Sequence, residues 1–487
     1  MTTMDSKTLK QRTIQGVFWG AMNSGTTQIL NLAFGIVLGR LLSPSEYGVV
    51  GVLTIFTAIA SDLQSSGFTQ SLVNLRNPEA KDYNAVFTFN VAVSAAMYAI
   101  LFFSSPLIAQ FFHLPCLVSV SRVVFLTFLI ASLGIAHGGY MAKNMMNKEI
   151  AVIGFLALLT SGTTGVTLAF LGYGYWALAW QQVAYITVIN IGRYYCVKQW
   201  RPSLTTALKP IRSMAPFAVN ILITKIITTL SNNILTVIFG RLFPIHHVGN
   251  YSQAYKWDTM ASSLVANTVG QVAQPVLYES TIDSGEERQR RVFRKMLRFT
   301  TFLSMPLMFG FALVSEEFIL LTIDEKWAGC VPLLQVLCLS GAFLPLYTIY
   351  QNLVISRGKS HVFMWLSLSQ IVMQLVVILV TYRYGMFAMV CIYSAMTVLW
   401  LIPWHHFARR MICYRWRDVA ADVLPFTLAA GVVMTLTFFI TRPIQSLPLL
   451  LVTRIALAAL LYFVIMFLGK VDILQECLDY VKRKGQG

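Results

Sequence analysis

Residues 31–70 read NLAFGIVLGRLLSPSEYGVVGVLTIFTAIASDLQSSGFTQ, and residues 232–271 read NNILTVIFGRLFPIHHVGNYSQAYKWDTMASSLVANTVGQ. At a constant offset of 201, Asn31 meets Asn232, Gly39-Arg40-Leu41 meets Gly240-Arg241-Leu242, and Gly48 meets Gly249. Ala60-Ser61, Leu63 and Gln70 meet Ala261-Ser262, Leu264 and Gln271, and no gap is needed. The two stretches are diverged copies of one segment, each set among long apolar runs. Duplicated membrane modules of this kind are the mark of transporters, whose sites form between the repeats.

The surroundings are those of a bilayer. Only 12% of the residues are charged and the mean hydropathy is +0.65, whereas soluble domains carry about 25% charged residues. Between Ile14 and Leu468, fourteen apolar runs recur, each roughly 18 to 25 residues and long enough for a ~30 Å hydrocarbon core. Those beginning near residues 48, 213 and 248 are polar for spans, and the repeat supports them. The first run carries Asn23 and Gln28 and reads as a retained helix rather than a cleaved signal. The seven cysteines show no disulfide or zinc spacing.

Net charge is +17. With the N-terminus placed in the cytoplasm, 28 of the 37 Lys and Arg fall in inner connections and tails. Five lie outside (Arg40, Arg241, Lys326, Arg383 and Arg442), and Arg122, Lys225, Lys256 and Arg454 lie within spans. Such a bias is the positive-inside rule, so the charge reports orientation and nucleic acid is excluded as a partner. A bacterial inner-membrane protein with both termini in the cytoplasm is expected.

Helix one maps onto helix seven, so each repeat holds six helices, and an even number returns the chain to its starting side. The fold class expected is therefore an all-α membrane protein of about 14 transmembrane helices. Its two parallel six-helix repeats would be related by a pseudo-twofold along the membrane normal, with a C-terminal helix pair added. The lobes would run 1–205 and 206–415, with helices 13 and 14 and the tail in 416–487. Their boundary lies near Lys198 to Arg212, a basic loop holding Pro202 and Pro210. Glu286 to Arg298 interleaves Arg with Val292, Phe293, Met296 and Leu297, which predicts an amphipathic helix on acidic headgroups of the inner surface.

Catalytic constellations are absent. Gly358-Lys359-Ser360 resembles a P-loop end, but Leu353 occupies the position of the required glycine. No enzyme activity, cofactor or metal is expected, and His246-His247 and His405-His406 read as solvated residues at loop or helix ends. Charges at membrane depth are costly and mark cavities or buried pairs. Lys225 lies midway along helix seven, Lys256 and Asp258 near the middle of helix eight, and Asp62 in the inner half of helix two. Lys225 and Lys256 suit an anionic phosphate or pyrophosphate group, or else ion pairs with Asp62 or Asp258. Arg122 and Arg454, near outer helix ends, can snorkel to the interface. Arg40 and Arg241, equivalent under the repeat, would close an outer gate, hold headgroups or anchor the interface. Polar residues of helices one and seven, among them Asn31, Thr228, Thr229, Asn232 and Asn233, are too many for a lipid-facing surface. Hydroxyls and amides suit sugars, and Trp19 or Trp257 could stack on a ring.

Ordered motifs add a resemblance. Gly16-Val17-Phe18-Trp19, Leu38-Gly39-Arg40-Leu41-Leu42-Ser43-Pro44-Ser45-Glu46-Tyr47-Gly48 and Leu171-Gly172-Tyr173-Gly174-Tyr175-Trp176-Ala177-Leu178 are joined by Arg201-Pro202-Ser203, Gly249-Asn250-Tyr251-Ser252, Pro275-Val276-Leu277 and Lys326-Trp327. In this set the chain resembles the Wzx-type polysaccharide flippases, colanic-acid exporter-like branch, of the multidrug/oligosaccharidyl-lipid/polysaccharide exporter superfamily. The resemblance implies two six-helix lobes with helices one, two, seven and eight lining a central cavity. It implies transfer of undecaprenyl-pyrophosphate-linked oligosaccharide repeat units from the cytoplasmic to the periplasmic leaflet. Lys225, Lys256, Arg40, Arg241, Arg122, Asn31 and Asn232 are then the substrate-binding candidates, with Asp62 and Asp258 for ion coupling. Near Gly67 the chain lacks a second acid that many relatives carry, which weakens coupling through helix two. Membrane lipid, a polysaccharide polymerase and a chain-length regulator are the expected partners. A cation-coupled multidrug antiporter and a non-transporting partner of polysaccharide assembly are the rival readings.

Overall fold

The computed structural model describes residues 25–65, 72–73, 75, 78–205, 209–282, 285–469, 471 and 473–475. Among these the chain is all-helical, with no strand. It divides into two compact units, Met1–Gly249 and Asn250–Gly487. Unit 1 holds α1 (residues 25–41), α2 (Pro44–Gly51), α3 (Thr54–Ser65), α4 (Ala80–Phe112), α5 (Leu117–Lys143), α6 (Asn147–Phe170), α7 (Tyr175–Cys196), α8 (Lys209–Leu242) and the first turn of α9 (Ile245–Ile282). Unit 2 holds the rest of α9, then α10 (Gly285–Leu313), α11 (Ser315–Thr322), α12 (Val331–Gly341), α13 (Leu344–Ser356) and α14 (Ser360–Thr381). It closes with α15 (Met386–Leu399), α16 (Leu401–Ile412), α17 (Trp416–Thr441) and α18 (Leu447–Leu468). Helix α8 opens the second repeat by sequence but packs on α3 and α4 in unit 1.

Nine helical stretches among the described residues are long and apolar enough to cross a membrane. Three are α4 to α6; the other six lie in unit 2, where Glu325–Ser356 and Met386–Ile412 are each broken in mid-course. Helices α8 and α9 fall outside this set because of their polar load. At a rise of about 1.5 Å per residue they still extend about 51 and 57 Å, more than a hydrocarbon core requires.

Local chemistry fixes the helix ends. Pro44 starts α2 behind the N-cap Ser43, whose backbone N–H donates to Glu46 Oε2 at 2.6 Å while Glu46 N–H returns to Ser43 Oγ at 3.4 Å. Left-handed residues end α4 at His113 (φ 56°) and α16 at Cys413 (φ 51°).

One close approach follows the repeat. A Cβ at Gly48 would strike the carbonyl of Ile245, and a Cβ at Gly249 would strike the carbonyl of Pro44. Pro44 and Ile245 are themselves equivalent at the offset of 201. The contact is thus reciprocal, residue i on j and j on i, as across a twofold axis. Glycine at both positions lets the first turns of α2 and α9 meet backbone to backbone.

Three sequence expectations change. The basic stretch 286–298 does not form a surface helix of its own. It is the start of α10, with Phe293 and Leu297 fully buried against a core that includes Tyr350 and Tyr414. Arg294 pairs with buried Asp422 at 2.6 Å, and the Tyr414 hydroxyl donates to the same carboxylate at 2.7 Å. Arg454 does not snorkel: it is buried and paired with Glu317, because a carboxylate on α11 and the carbonyl of Leu313 (3.2 Å) satisfy it inside. His405 is buried rather than solvated, 3.2 Å from the Tyr350 hydroxyl and packed on Trp416, while His406 is exposed.

Candidate functional site

A cavity of about 640 Å³ opens within unit 1, in the size range of small-molecule sites, roughly 300–1,000 Å³. Its hydroxyls come from Thr27 on α1, Thr54, Thr57 and Ser61 on α3, Thr127 on α5, Ser161 on α6 and Tyr185 on α7. Its amides are Asn31 on α1, Gln181 and Gln182 on α7, and Asn233 on α8. No Asp, Glu, Lys, Arg or His lines it among the described residues.

Four of the hydroxyl groups share one habit. Thr54 donates to the Gly51 carbonyl (2.7 Å), Thr57 to Thr54 (2.9 Å), Thr127 to Val124 (2.6 Å) and Ser161 to Leu158 (3.2 Å). Each spends its single proton on a backbone carbonyl three residues earlier and turns oxygen lone pairs outward. The donors left for a ligand are amide N–H groups and the hydroxyls of Thr27, Ser61 and Tyr185, while Asn233 Nδ2 already donates to the Thr229 carbonyl at 2.9 Å.

The deep charges sort by their partners. Asp62 accepts a hydrogen bond from the Thr229 hydroxyl, which ties α3 to α8 beside this cavity. Lys225 is exposed on α8, with no ion-pair partner among the described residues. Lys256, in unit 2, is half-buried with its ammonium 5.4 Å from the Trp257 ring centroid. Asp258 is only 2% exposed, lies against Gly341, and its Oδ1 has no hydrogen-bond partner among the described residues. Trp257 is buried against Phe318, so its face is closed to a sugar; Trp19 lies outside the described residues.

The arginines are held structurally. Arg122 Nε donates to Ser105 at 3.0 Å and its guanidinium lies 4.1 Å from the Phe102 ring centroid, joining α4 and α5. Arg241 donates to the Phe111 carbonyl at 2.9 Å and contacts His113. Arg40 and Asn232 are exposed. Of the predicted residues, the structure brings Asn31 to the cavity and leaves Asn232 off its lining, with Asn233 taking that place.

Sequence reasoning missed Gln181, Gln182, Thr127 and Ser161. The adjacent glutamines in an apolar run were a usable signal; a lone Ser or Thr in a span was not, since its own helix satisfies it.

Comparisons with known proteins accord with this architecture. The chain is 23% identical to the succinoglycan biosynthesis transport protein ExoT of Rhizobium meliloti, covering 99% of this chain and 97% of that one. It is 25% identical to the lipopolysaccharide biosynthesis protein WzxC of Escherichia coli, over 68% of each. Its fold is that of the lipid II flippase MurJ in an inward closed conformation, with a TM-score of 0.78 at 12% identity, covering 94% of this chain and all of that one. Residues 37–332, more than half of the chain, match the family described as polysaccharide biosynthesis protein. With that match, the resemblance to Wzx-type flippases carried by the motifs is borne out. The chain belongs to the polysaccharide biosynthesis protein family.

Proposed function

We propose that this protein flips polyprenyl-pyrophosphate-linked oligosaccharide units from the cytoplasmic to the periplasmic leaflet by alternating access, for surface or exopolysaccharide assembly. The observation that carries the reading is the uncharged hydroxyl-and-amide cavity of unit 1, set among membrane helices of a polysaccharide-biosynthesis chain. Hydroxyl and amide groups exchange hydrogen bonds with sugars, and polar groups at membrane depth gather around cavities rather than face lipid. A polyprenyl tail would stay in lipid.

Lys225 is the first choice for the pyrophosphate. Arg122 and Arg241 are each already held in place, by donation to the Ser105 hydroxyl and to the Phe111 carbonyl. Lys256 is the second candidate, and Asp258, with a buried oxygen unsatisfied among the described residues, is the candidate for coupling to a cation or proton. We place the protein in the bacterial inner membrane with both termini in the cytoplasm. Fourteen spans in repeats 1–205 and 206–415, with 416–487 added, fit the helices once α1, α2 with α3, α7, α8 and α9 are taken as spans beside the nine apolar stretches. The reciprocal contact of Gly48 and Gly249 supports the twofold. A polymerase and a chain-length regulator are the partners such a step requires. A multidrug antiporter would want carboxylates to meet cationic drugs, and this cavity offers none among the described residues.

The test is the leaflet distribution of the lipid-linked oligosaccharide in cells depleted of the protein. Accumulation on the cytoplasmic side is expected; a normal distribution refutes the reading. Lys225→Ala should reproduce the defect at normal protein level and melting temperature.

A further inference from the structure

The hydrogen-bond polarity of the unit 1 cavity says more than that it is polar. We propose that it is a subsite for uncharged sugar rings that rejects rings bearing carboxylate, phosphate or sulfate, so the repeat unit enters it through a neutral segment. The inference rests on the flippase reading for its cargo and on cavity chemistry for its selectivity.

Two features act together. First, no cation lines the cavity among the described residues. A carboxylate moved there from water would lose hydration with no charge to replace it, a cost that exceeds that of an unpaired neutral group. Second, four of the seven lining hydroxyls, Thr54, Thr57, Thr127 and Ser161, present acceptor lone pairs, because their protons are already donated to backbone carbonyls. A sugar hydroxyl can donate to these oxygens and accept from the amides of Gln181 and Gln182. An ionised carboxylate or phosphate is acceptor-only and would face oxygen lone pairs at those four positions. Desolvation and hydrogen-bond polarity therefore select in the same direction. A cationic ligand gains no carboxylate either, which leaves polyhydroxylated neutral groups as the class that matches.

Full-length protein in lipid nanodiscs would be titrated with a neutral tetrasaccharide and with the same tetrasaccharide oxidised to a uronate at one primary alcohol. Proteoliposomes would measure flipping of the two corresponding polyprenyl-pyrophosphate conjugates. Binding of the neutral sugar should be at least about tenfold tighter, since one buried unpaired charged group costs more than ~1.4 kcal/mol. Thr57→Val combined with Thr127→Val should weaken neutral-sugar binding by about tenfold, the joint effect of two lost hydrogen-bond acceptors. Thr163→Val, at an exposed hydroxyl of α6, should change nothing. Gln181→Arg should narrow or invert the preference, and it serves in place of the valine pair if that variant fails to fold.

Equal binding of the two sugars, or neutral binding unaltered in a folded valine pair, overturns the subsite. If both conjugates are flipped at one rate with no binding preference, the subsite falls and flipping stands. If neither conjugate moves while the preference and its sensitivity to the variants persist, the subsite stands and the flippase reading falls.

Discussion

Arg454→Met should destabilise unit 2 far more than an ordinary membrane substitution, and a second substitution should reverse the damage. The Arg454 and Glu317 side chains are 8% and 2% exposed. Arg454 also donates to the Leu313 carbonyl at 3.2 Å and to Thr441 at 3.3 Å, and lies 5.3 Å from the Phe438 ring centroid. These bonds tie α18 to α11, α10 and α17. Removing the guanidinium leaves a buried carboxylate whose Oε2 has no hydrogen-bond partner among the described residues even with the pair intact. Breaking a buried pair from one side costs about 3–5 kcal/mol, a factor of roughly 150 to 4,000 in the folding equilibrium. Replacing both partners by apolar groups of similar volume is about neutral or stabilising. Glu317→Leu with Arg454→Met should therefore melt close to the parent protein. Buried Cys330 and Cys338, both in unit 2, report unfolding as heating exposes their thiols to a maleimide dye. A double variant as unstable as Arg454→Met, or a single variant within ~0.5 kcal/mol of the parent, would refute the account.

Gly48→Ala and Gly249→Ala should each cost about 1–3 kcal/mol, since the added methyl meets a backbone carbonyl rather than a movable side chain, and should lower the melting temperature by several degrees. Gly431→Ala, inside α17 with open space around it, should be neutral or stabilise by up to about 1 kcal/mol; similar losses at all three glycines would discount the close crossing. Thr229→Val and Asp62→Ala should each cost about 1.5–3 kcal/mol, the worth of a hydrogen bond to a charged group, and the double variant should be little worse than the poorer single one. Additive losses in chemical denaturation would show that the two side chains are not coupled. Glu46→Ala removes half of the α2 capping box and should cost about 1 kcal/mol, with Glu46→Gln recovering most of it in the same melting assay.

Much of the fold was legible because a bilayer makes composition decisive: apolar runs of span length have few other uses, and the offset of 201 linked polar helices that hydropathy alone would pass over. The repeat also located Gly48 and Gly249, although only coordinates could show that each presses on the residue equivalent to the other's neighbour. The cavity was half legible. Asn31 stood out as an amide in a span, but Thr127 and Thr163 look alike in sequence, each on an apolar helix and each bonded to its own backbone. One lines the cavity and the other is exposed. What separates them is the neighbouring helix, which sequence periodicity does not supply.

The charges teach the same lesson more sharply. Depth in the membrane selected Arg122, Lys225, Lys256, Arg454, Asp62 and Asp258 as costly, and cost alone does not say who repays it. Ser105 and the Phe102 ring occupy Arg122, Glu317 occupies Arg454, and Thr229 engages Asp62. Each partner lies on another helix, 17 to 167 residues away in sequence, so no local pattern announces it. After those assignments, among the described residues, Lys225 is exposed without an ion-pair partner and Asp258 keeps a buried oxygen without a hydrogen bond. A membrane charge that structure has not already used is the better functional candidate. Lys225 and Asp258 are therefore where cargo phosphate and coupling ion should be sought first.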